Sequence, residues 1–566
     1  MRRQLITETA IKAAILLLIG ILSSFFYARF DLTADKRYSL SKPTKQMLSK
    51  IDDEILFRVY LDGDLPAGFK RLQNSVREML DEFRAYGGEN IQYEFIDPTE
   101  NPNEQARERI FRELYQKGLD PTNLQVKEKD GSSSQKLIFP GILVSYGGRD
   151  VAVNILKNHM SATAEANLQT SIQSLEYDLT FAINQLLNPE SPIIGFVRGH
   201  GELLPEQMDD MAYTLGKFYT LRQVDADAEL LKTDSTGQLV YRLIVVAQPI
   251  LPFNETDKFM IDQYVMAGGR VLWLIDNTTA SIDSLSHGRD VKALPLDLKL
   301  DDQLFNYGIR INNNLIQDMQ CAVIPVNTAL VGQQPQFTPS PWVFSPIVTP
   351  TSGHPLTKNL DMIRIDFVSS IDTVGRNSDI EKTVLLAASD NCRTVSLPTQ
   401  VDLSIIGNRI ATEAFAHSGL IMGVLLEGQF NSAFANRPLQ VDGFSRQQFR
   451  KISPYTRMIV IADGDIIRNY FRQNSNGQSE PLPLGYDRYT RQTFGNKEFL
   501  LNAINYLCGF DELMESRSKE FKLRMMDRSK IIEQRTLWQV INIGVPVLII
   551  LAFGLIFNTI RKRRYQ

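Results

Sequence analysis

The sequence predicts an α/β protein with two transmembrane helices, N- and C-terminal, flanking a thioredoxin-like domain and a flavodoxin/glutamine-amidotransferase-like parallel-sheet domain. Three observations lead there. Residues 13–28 and 537–560 are free of charge and long enough, with their flanks, to cross a bilayer. Between them, short apolar runs alternate with stretches of helical periodicity, the pattern of strands joined by crossover helices. Glycine and proline mark nearly every change of element.

The first span, 13–30, follows a short tail, 1–12, that carries Arg2 and Arg3. "SSFFYARFD" offers no small-x-small cleavage pattern, so an uncleaved anchor is expected. After a polar stretch with a helix start at Ser39–Leu40–Ser41, "EILFRVYLD" (54–62) reads as a strand. Residues 68–87 place Leu72, Val76, Met79, Leu80 and Phe83 on one helical face, and Gly87 and Gly88 stop them. "IQYEFIDP" (91–98) is strand-like, and residues 103–118 form a helix ending in Gly118. Further strands turn at Gly147–Gly148, and a helix over about 166–187 closes a β-α-β-α-β-β-α unit. That order is thioredoxin-like over 31–188, without the cysteine pair of a redox enzyme.

"NPESP" breaks the chain before the second domain, 189–510. "PIIGFVRGHGE" leads into a helix opened by Pro205, and "YRLIVVAQP" reads as a buried strand. Asn254 caps a helix that Gly268–Gly269 ends, and "GGRVLWLIDN" follows as a strand. Residues 320–380, rich in Pro, Thr, Ser, Asn and Gln, suggest long loops and short strands. "TVLLAASD" is a buried strand, 417–434 a strand entering a turn at Gly428, and 457–471 a strand ending at Asp463–Gly464–Asp465. A helical stalk, 511–536, leads into the second span, 537–560, where Trp538 marks an interface. The tail 561–566 carries "RKRR". Basic clusters outside both spans predict cytoplasmic termini and a periplasmic bulk at the cell inner membrane. Ser23, Ser24, Gly544 and Gly554 are candidate close-approach points for membrane packing.

Charge excludes one class of partner. The chain carries −4 overall, but +2 lies in residues 1–12 and +4 in 561–566, leaving −10 for 13–560. A body that acidic is a poor nucleic-acid binder. Three cysteines, Cys321, Cys392 and Cys508, form no C-x-x-C pair, and only a Cys321–Cys392 bridge is conceivable. No P-loop pattern occurs.

The strand-to-helix turn Gly199-His200-Gly201-Glu202 sits where open α/β sheets collect ligands. As a metal site it lacks partners, since His159, His287, His354 and His417 have no ligand spacing with it. As a hydrolase it lacks a nucleophile elbow. The favoured reading is a structural turn, with a non-catalytic ligand or partner surface as the next reading. Asp463 and Asp465 suggest a cation pair but lack the rest of a calcium loop, and they read better as caps, as does Asp276. No catalytic residue, metal or cofactor is expected.

"RFDLTADKRYSLS", "DGDLPAGFKRLQNSVREMLDEFRAY", "IQYEFIDP", "GHGE", "LLEGQFNSAF", "RMIVIADGDIIRN" and "GNKEFLLNAINYL", in this order, resemble the GldG family of gliding-motility-associated ABC-transporter auxiliary subunits. The resemblance implies a non-catalytic, substrate-binding-like subunit working with an ABC permease and a cytoplasmic ATPase, in contact with membrane lipid. It carries over no catalytic residue and names no substrate. The alternatives are a membrane-anchored hydrolase or amidotransferase-like enzyme using His200 and Glu202, and a purely structural envelope scaffold.

Overall fold

The computed structural model describes residues 11, 15, 39–127, 133–158, 163–188, 191–282, 291–327, 334, 336–350, 353–375, 379–407, 411–437, 441, 444, 448–473, 479–514 and 528–565. Two units emerge, one spanning 38–519 and one holding the C-terminal helix. Apart from Ile15, the expected first span lies outside the described residues, Ser23 and Ser24 with it, as does the stalk between 515 and 527.

The N-terminal layer is a four-stranded sheet of β1 (Ile55–Val59), β2 (Ile91–Phe95), β3 (Gly141–Tyr146) and β4 (Arg149–Asn154), in the order β2-β1-β3-β4. β1 runs parallel to β2 and antiparallel to β3, and Gly147 and Gly148, both at positive φ, make the β3–β4 hairpin. Helices α1 (Ala67–Gly87) and α2 (Ala164–Leu187) pack on each other, burying Leu72, Phe83, Leu179 and Ile183 with Phe57 and Ile142 of the sheet.

The second sheet has seven strands. They are β5 (Ile193–Arg198), β6 (Thr220–Asp225), β7 (Tyr241–Ala247), β8 (Arg270–Leu274), β9 (Ile380–Ala387), β10 (Ile421–Asn431) and β11 (Ile452–Ile461), in the order β9-β10-β11-β8-β7-β5-β6. β11, β8, β7, β5 and β6 are parallel. β10 and β9 continue the sheet antiparallel, a departure from the all-parallel expectation. Val271 to Leu274 are buried without alternation, as are Leu243 to Ala247, so both faces of these strands are covered. Helix α4 (Glu255–Met266) packs on β8, β10 and β11, and α5 (Asn496–Leu507) on β7, β8 and β11. Between β5 and β6, Pro205–Met208 is a 3-10 turn, and α3 (Asp209–Gly216) begins only after it.

Two local expectations are corrected. Residues Phe337–Val348 form one long strand inside the stretch read as long loops and short strands. Its neighbour on one side, Ile363–Arg364, pairs only with Ile347 and Val348. Among the described residues no strand pairs with that edge at Pro339 and Pro341, so a missing N–H there costs no ladder bond. Gly428 makes no turn. It lies inside β10 at φ 145°, where a Cβ would come within 1.9 Å of the Asp379 carbonyl. Cys321, Cys392 and Cys508 are free thiols, so the conceivable bridge is not formed.

The second unit is described by helix α6 (Arg528–Tyr565), which continues through Pro546. Leu537–Arg563, 27 residues that include an 18-residue window of mean hydropathy 2.7, is long and apolar enough to cross a membrane. A side chain added at Gly544 or Gly554 would meet nothing within 4 Å.

Candidate functional site

β5 ends in the turn that the sequence singled out. Gly199 and Gly201 take φ of 117° and 73°, a region costly for other residues. A Cβ at Gly201 would also meet Ile250 Cγ1 at 2.5 Å. The His200 carbonyl accepts from the N–H groups of Ile250 and Leu251 at 2.9 and 2.8 Å, which ties this turn to the one after β7.

The His200 side chain is buried and fully engaged. Nδ1 lies 3.0 Å from Glu202 Oε1, and Nε2 lies 2.9 Å from Asp257 Oδ2. Its own backbone N–H donates to Glu202 Oε2 at 2.7 Å. The ring stacks on Phe253, 3.6 Å between centroids. Asn254 holds Asp257 in place, accepting from its N–H and donating Nδ2–H to Oδ2 at 2.7 Å. Burial opposes the imidazolium, but the hydrogen bonds to Glu202 and Asp257 outweigh it and raise the His200 pKa above its ordinary value. With a carboxylate at each ring nitrogen, His200 is a clamp between two elements. It leaves no ring nitrogen to take a proton from a substrate. Around it Leu204, Ile250 and Leu251 are exposed apolar side chains.

A second constellation was only half legible. Gln248, Asp276 and Asp463 follow the carboxyl ends of β7, β8 and β11, where open α/β sheets gather ligands. Gln248, at φ 54°, donates Nε2–H to Asp276 Oδ2 at 2.6 Å and to Asp465 Oδ1 at 2.9 Å. The Gly464 N–H donates to Asp276 Oδ1 at 2.7 Å, and a Cβ at Gly464 would strike Gln248 at 2.8 Å. Asp463 accepts from the N–H of Asp465 at 2.7 Å and of Asp366 at 3.1 Å. Arg364 Nε meets Asp366 Oδ1 at 3.1 Å, and its Nη1 lies 3.7 Å from Asp487. Arg468 lies 3.4 Å from Asp465.

Burial, then the charge of Asp465, pushes Asp276 up to about 7. Burial, then Asp276, pushes Asp463 well above the carboxylate range, and burial raises Asp465. Burial first, and mutual repulsion second, favour the protonated forms in this group. Its oxygens are turned onto each other's backbone and onto Gln248. Among the described residues no group of three or more His, Cys, Asp or Glu is arranged to hold a metal ion. Asp463 accepts from the Asp465 N–H at the start of the 3-10 turn Asp465–Ile467, but the N-cap there is Gly464 and Asp465 lies inside the turn, so neither acid caps it as the sequence suggested.

Other flagged residues stay apart. His354 packs on Tyr506, and His417 bridges in backbone pairing to Cys392. His159 and His287 lie outside the described residues. Sequence reasoning missed Asp257, although Asn254 three residues earlier marks the helix start that aims it at His200. It also missed Arg364, Asp366 and Asp487, which no local pattern connects to Asp463.

Comparison with known proteins gives the context. An uncharacterized protein of Borreliella burgdorferi is 21% identical over 566 residues, covering 99% of this chain and 98% of that protein. Among solved structures, the mmIFT52 N-terminal domain aligns with 56% of this chain and 97% of its own at 11% identity and a TM-score of 0.30, too low to argue from. A domain of unknown function matches residues 34–145. The family described as an ABC-type uncharacterized transport system matches residues 191–503, more than half of the chain and all seven strands of the second sheet. The chain belongs to that family.

Proposed function

We propose that this chain is a non-catalytic auxiliary subunit of an ABC transport complex, anchored in the cell inner membrane at both ends with its bulk in the periplasm. The family match over 191–503 carries this reading. The apolar helix Leu537–Arg563 supports an anchor, and the basic residues on its far side support a cytoplasmic C-terminus. The engaged ring nitrogens of His200 support a non-catalytic role. We read the domains as a tail (1–12), a first span (13–30), a thioredoxin-like domain (31–188), a flavodoxin/amidotransferase-like domain (189–510), a stalk (511–536), a second span (537–560) and a tail (561–566). The strand order β2-β1-β3-β4 supports the first fold name, and the five parallel strands support the second.

The partners are an ABC permease, met by the spans with Ser23, Ser24, Gly544 and Gly554 at the closest approach, and a cytoplasmic ATPase. The turn Gly199–Glu202, made rigid by His200 and rimmed by Leu204, Ile250 and Leu251, is the partner surface of the external body. The resemblance to gliding-motility auxiliary subunits favours that process as the setting. Affinity purification of the full chain in mild detergent is expected to co-isolate a permease and an ATPase. Recovery of the chain alone, from cells that express such a transporter, would sink this reading.

A further inference from the structure

The amino edge of the second sheet carries charge of the opposite sign. Two hollows open there, of ≈ 930 Å³ and ≈ 630 Å³. Arg242 at the start of β7 and Arg270 at the start of β8 line both. Lys217 and Phe218, just past α3, and Phe510, just past α5, wall the larger hollow. Lys232 and Arg450 line the smaller one beside Tyr241. Among the described residues no carboxylate lines the smaller hollow. The larger has Asp150, which is already engaged by Arg58, Lys117 and the Ser145 hydroxyl at 3.4, 3.5 and 2.6 Å. Lys217, Lys232, Arg242, Arg270 and Arg450 have no carboxylate at ion-pair distance among the described residues.

Helix ends account for part of this charge. Arg270 Nη1 donates to the Leu507 carbonyl at 2.6 Å, at the end of α5, and Arg149 caps the Leu186 carbonyl of α2. A helix terminus offers only about half a charge, and Asp511 acts on Arg270, and Asp234 on Arg242, only through space, so cationic charge is left partly uncompensated. A guanidinium has five N–H donors, and Leu507 takes one of those on Arg270. Burial and the nearby Arg457 push Arg270 below the ordinary guanidinium value, a cost that an anion would relieve. Arg242 is exposed and, among the described residues, caps no helix.

We propose that the paired hollows bind a phosphate-bearing anion, gripped between Arg242 and Arg270, with its substituent against Phe218 and Phe510. Two guanidinium forks with flanking ammonium groups suit a multiply charged phosphate better than a single carboxylate. A soluble phosphate ester and an anionic lipid headgroup present this same chemistry.

The test is calorimetric titration of the full chain in neutral detergent, with pyrophosphate and separately with dihexanoyl-phosphatidylglycerol. Saturable binding that weakens with added salt is expected for at least one probe. Arg242→Glu should weaken it by about tenfold or more, the scale of a lost charged hydrogen bond, while the melting temperature of the free protein holds. Lys292→Glu, an exposed charge reversal outside the hollows, should leave binding intact. Mutual competition between the probes supports one phosphate site, phosphatidylglycerol alone supports a lipid headgroup, and pyrophosphate alone supports a soluble ester. Absence of saturable binding by both probes overturns the proposal. So does undiminished binding by Arg242→Glu, or an equal loss in Lys292→Glu.

Discussion

The two edges of one sheet differ in the way their charges are met. At the carboxyl edge, Asp276 and Asp463 are buried and Asp465 is half-buried, and Gln248, Gly464 and Arg468 answer their oxygens. At the amino edge, Arg242 and Arg270 face open hollows and, among the described residues, have no carboxylate at ion-pair distance. The usual rule places ligands at the carboxyl edge. Here the molecule's own side chains fill that edge, and unsatisfied charge lies at the other. Position in a fold therefore nominates a site, and the tally of satisfied groups decides between nominees.

The sharpest way to break this contrast is Arg364→Ala. It strands Asp366 and Asp487 without their buried cation, and such a loss costs about 3–5 kcal/mol. Urea denaturation reads it as a lower midpoint at unchanged slope. A loss below about 1 kcal/mol, the scale of exposed pairs, would mean that the carboxyl edge is wetter than described.

Asp276→Asn comes next. The folded protein holds this proton up to about pH 7, whereas the unfolded chain releases it near the ordinary value of 3.8. A raised pKa stabilises fully below the unfolded value, and the contribution is lost as pH rises through the folded one. The parent protein should lose stability from this group between about pH 3.8 and about pH 7, on the order of a few kcal/mol. Asparagine keeps an acceptor for the Gly464 N–H and cannot ionise, so the difference between variant and parent should grow across that window. A constant difference would place the buried proton elsewhere.

The smallest effect belongs to the amino edge. Arg242→Ala should change stability within about ±0.5 kcal/mol, as exposed substitutions do, because among the described residues no hydrogen bond or ion pair holds that exposed side chain. A large loss in thermal denaturation would make Arg242 a structural residue and erase the contrast.

Local chemistry made much of this molecule legible. Asn254 and Gly268–Gly269 bracket α4 within a residue, since caps and stops act over a few bonds. Gly147–Gly148 announced the β3–β4 hairpin in the same way. Where the signal was composition rather than geometry, it misled. Prolines in Phe337–Val348 suggested loops and short strands, because whether a strand edge is open depends on a neighbour far along the chain. Gly428 looked like a turn, because the Asp379 carbonyl that demands it is not a local feature.

The sites divide along the same line. By itself the sequence determined that His200 sits in a glycine turn at a strand end, that Asp276 and Asp463 end strands, and that residues 537–560 carry no charge. These follow from residue type and spacing, which act within a turn or two of backbone. Only the tertiary structure decided that Asp257 closes on His200, that Asp276 and Asp465 compete for protons, and that Arg242 and Arg270 share a wall. Each pairing depends on strand order and burial. Charges interact through the space and dielectric between them, and no spacing along the chain encodes either.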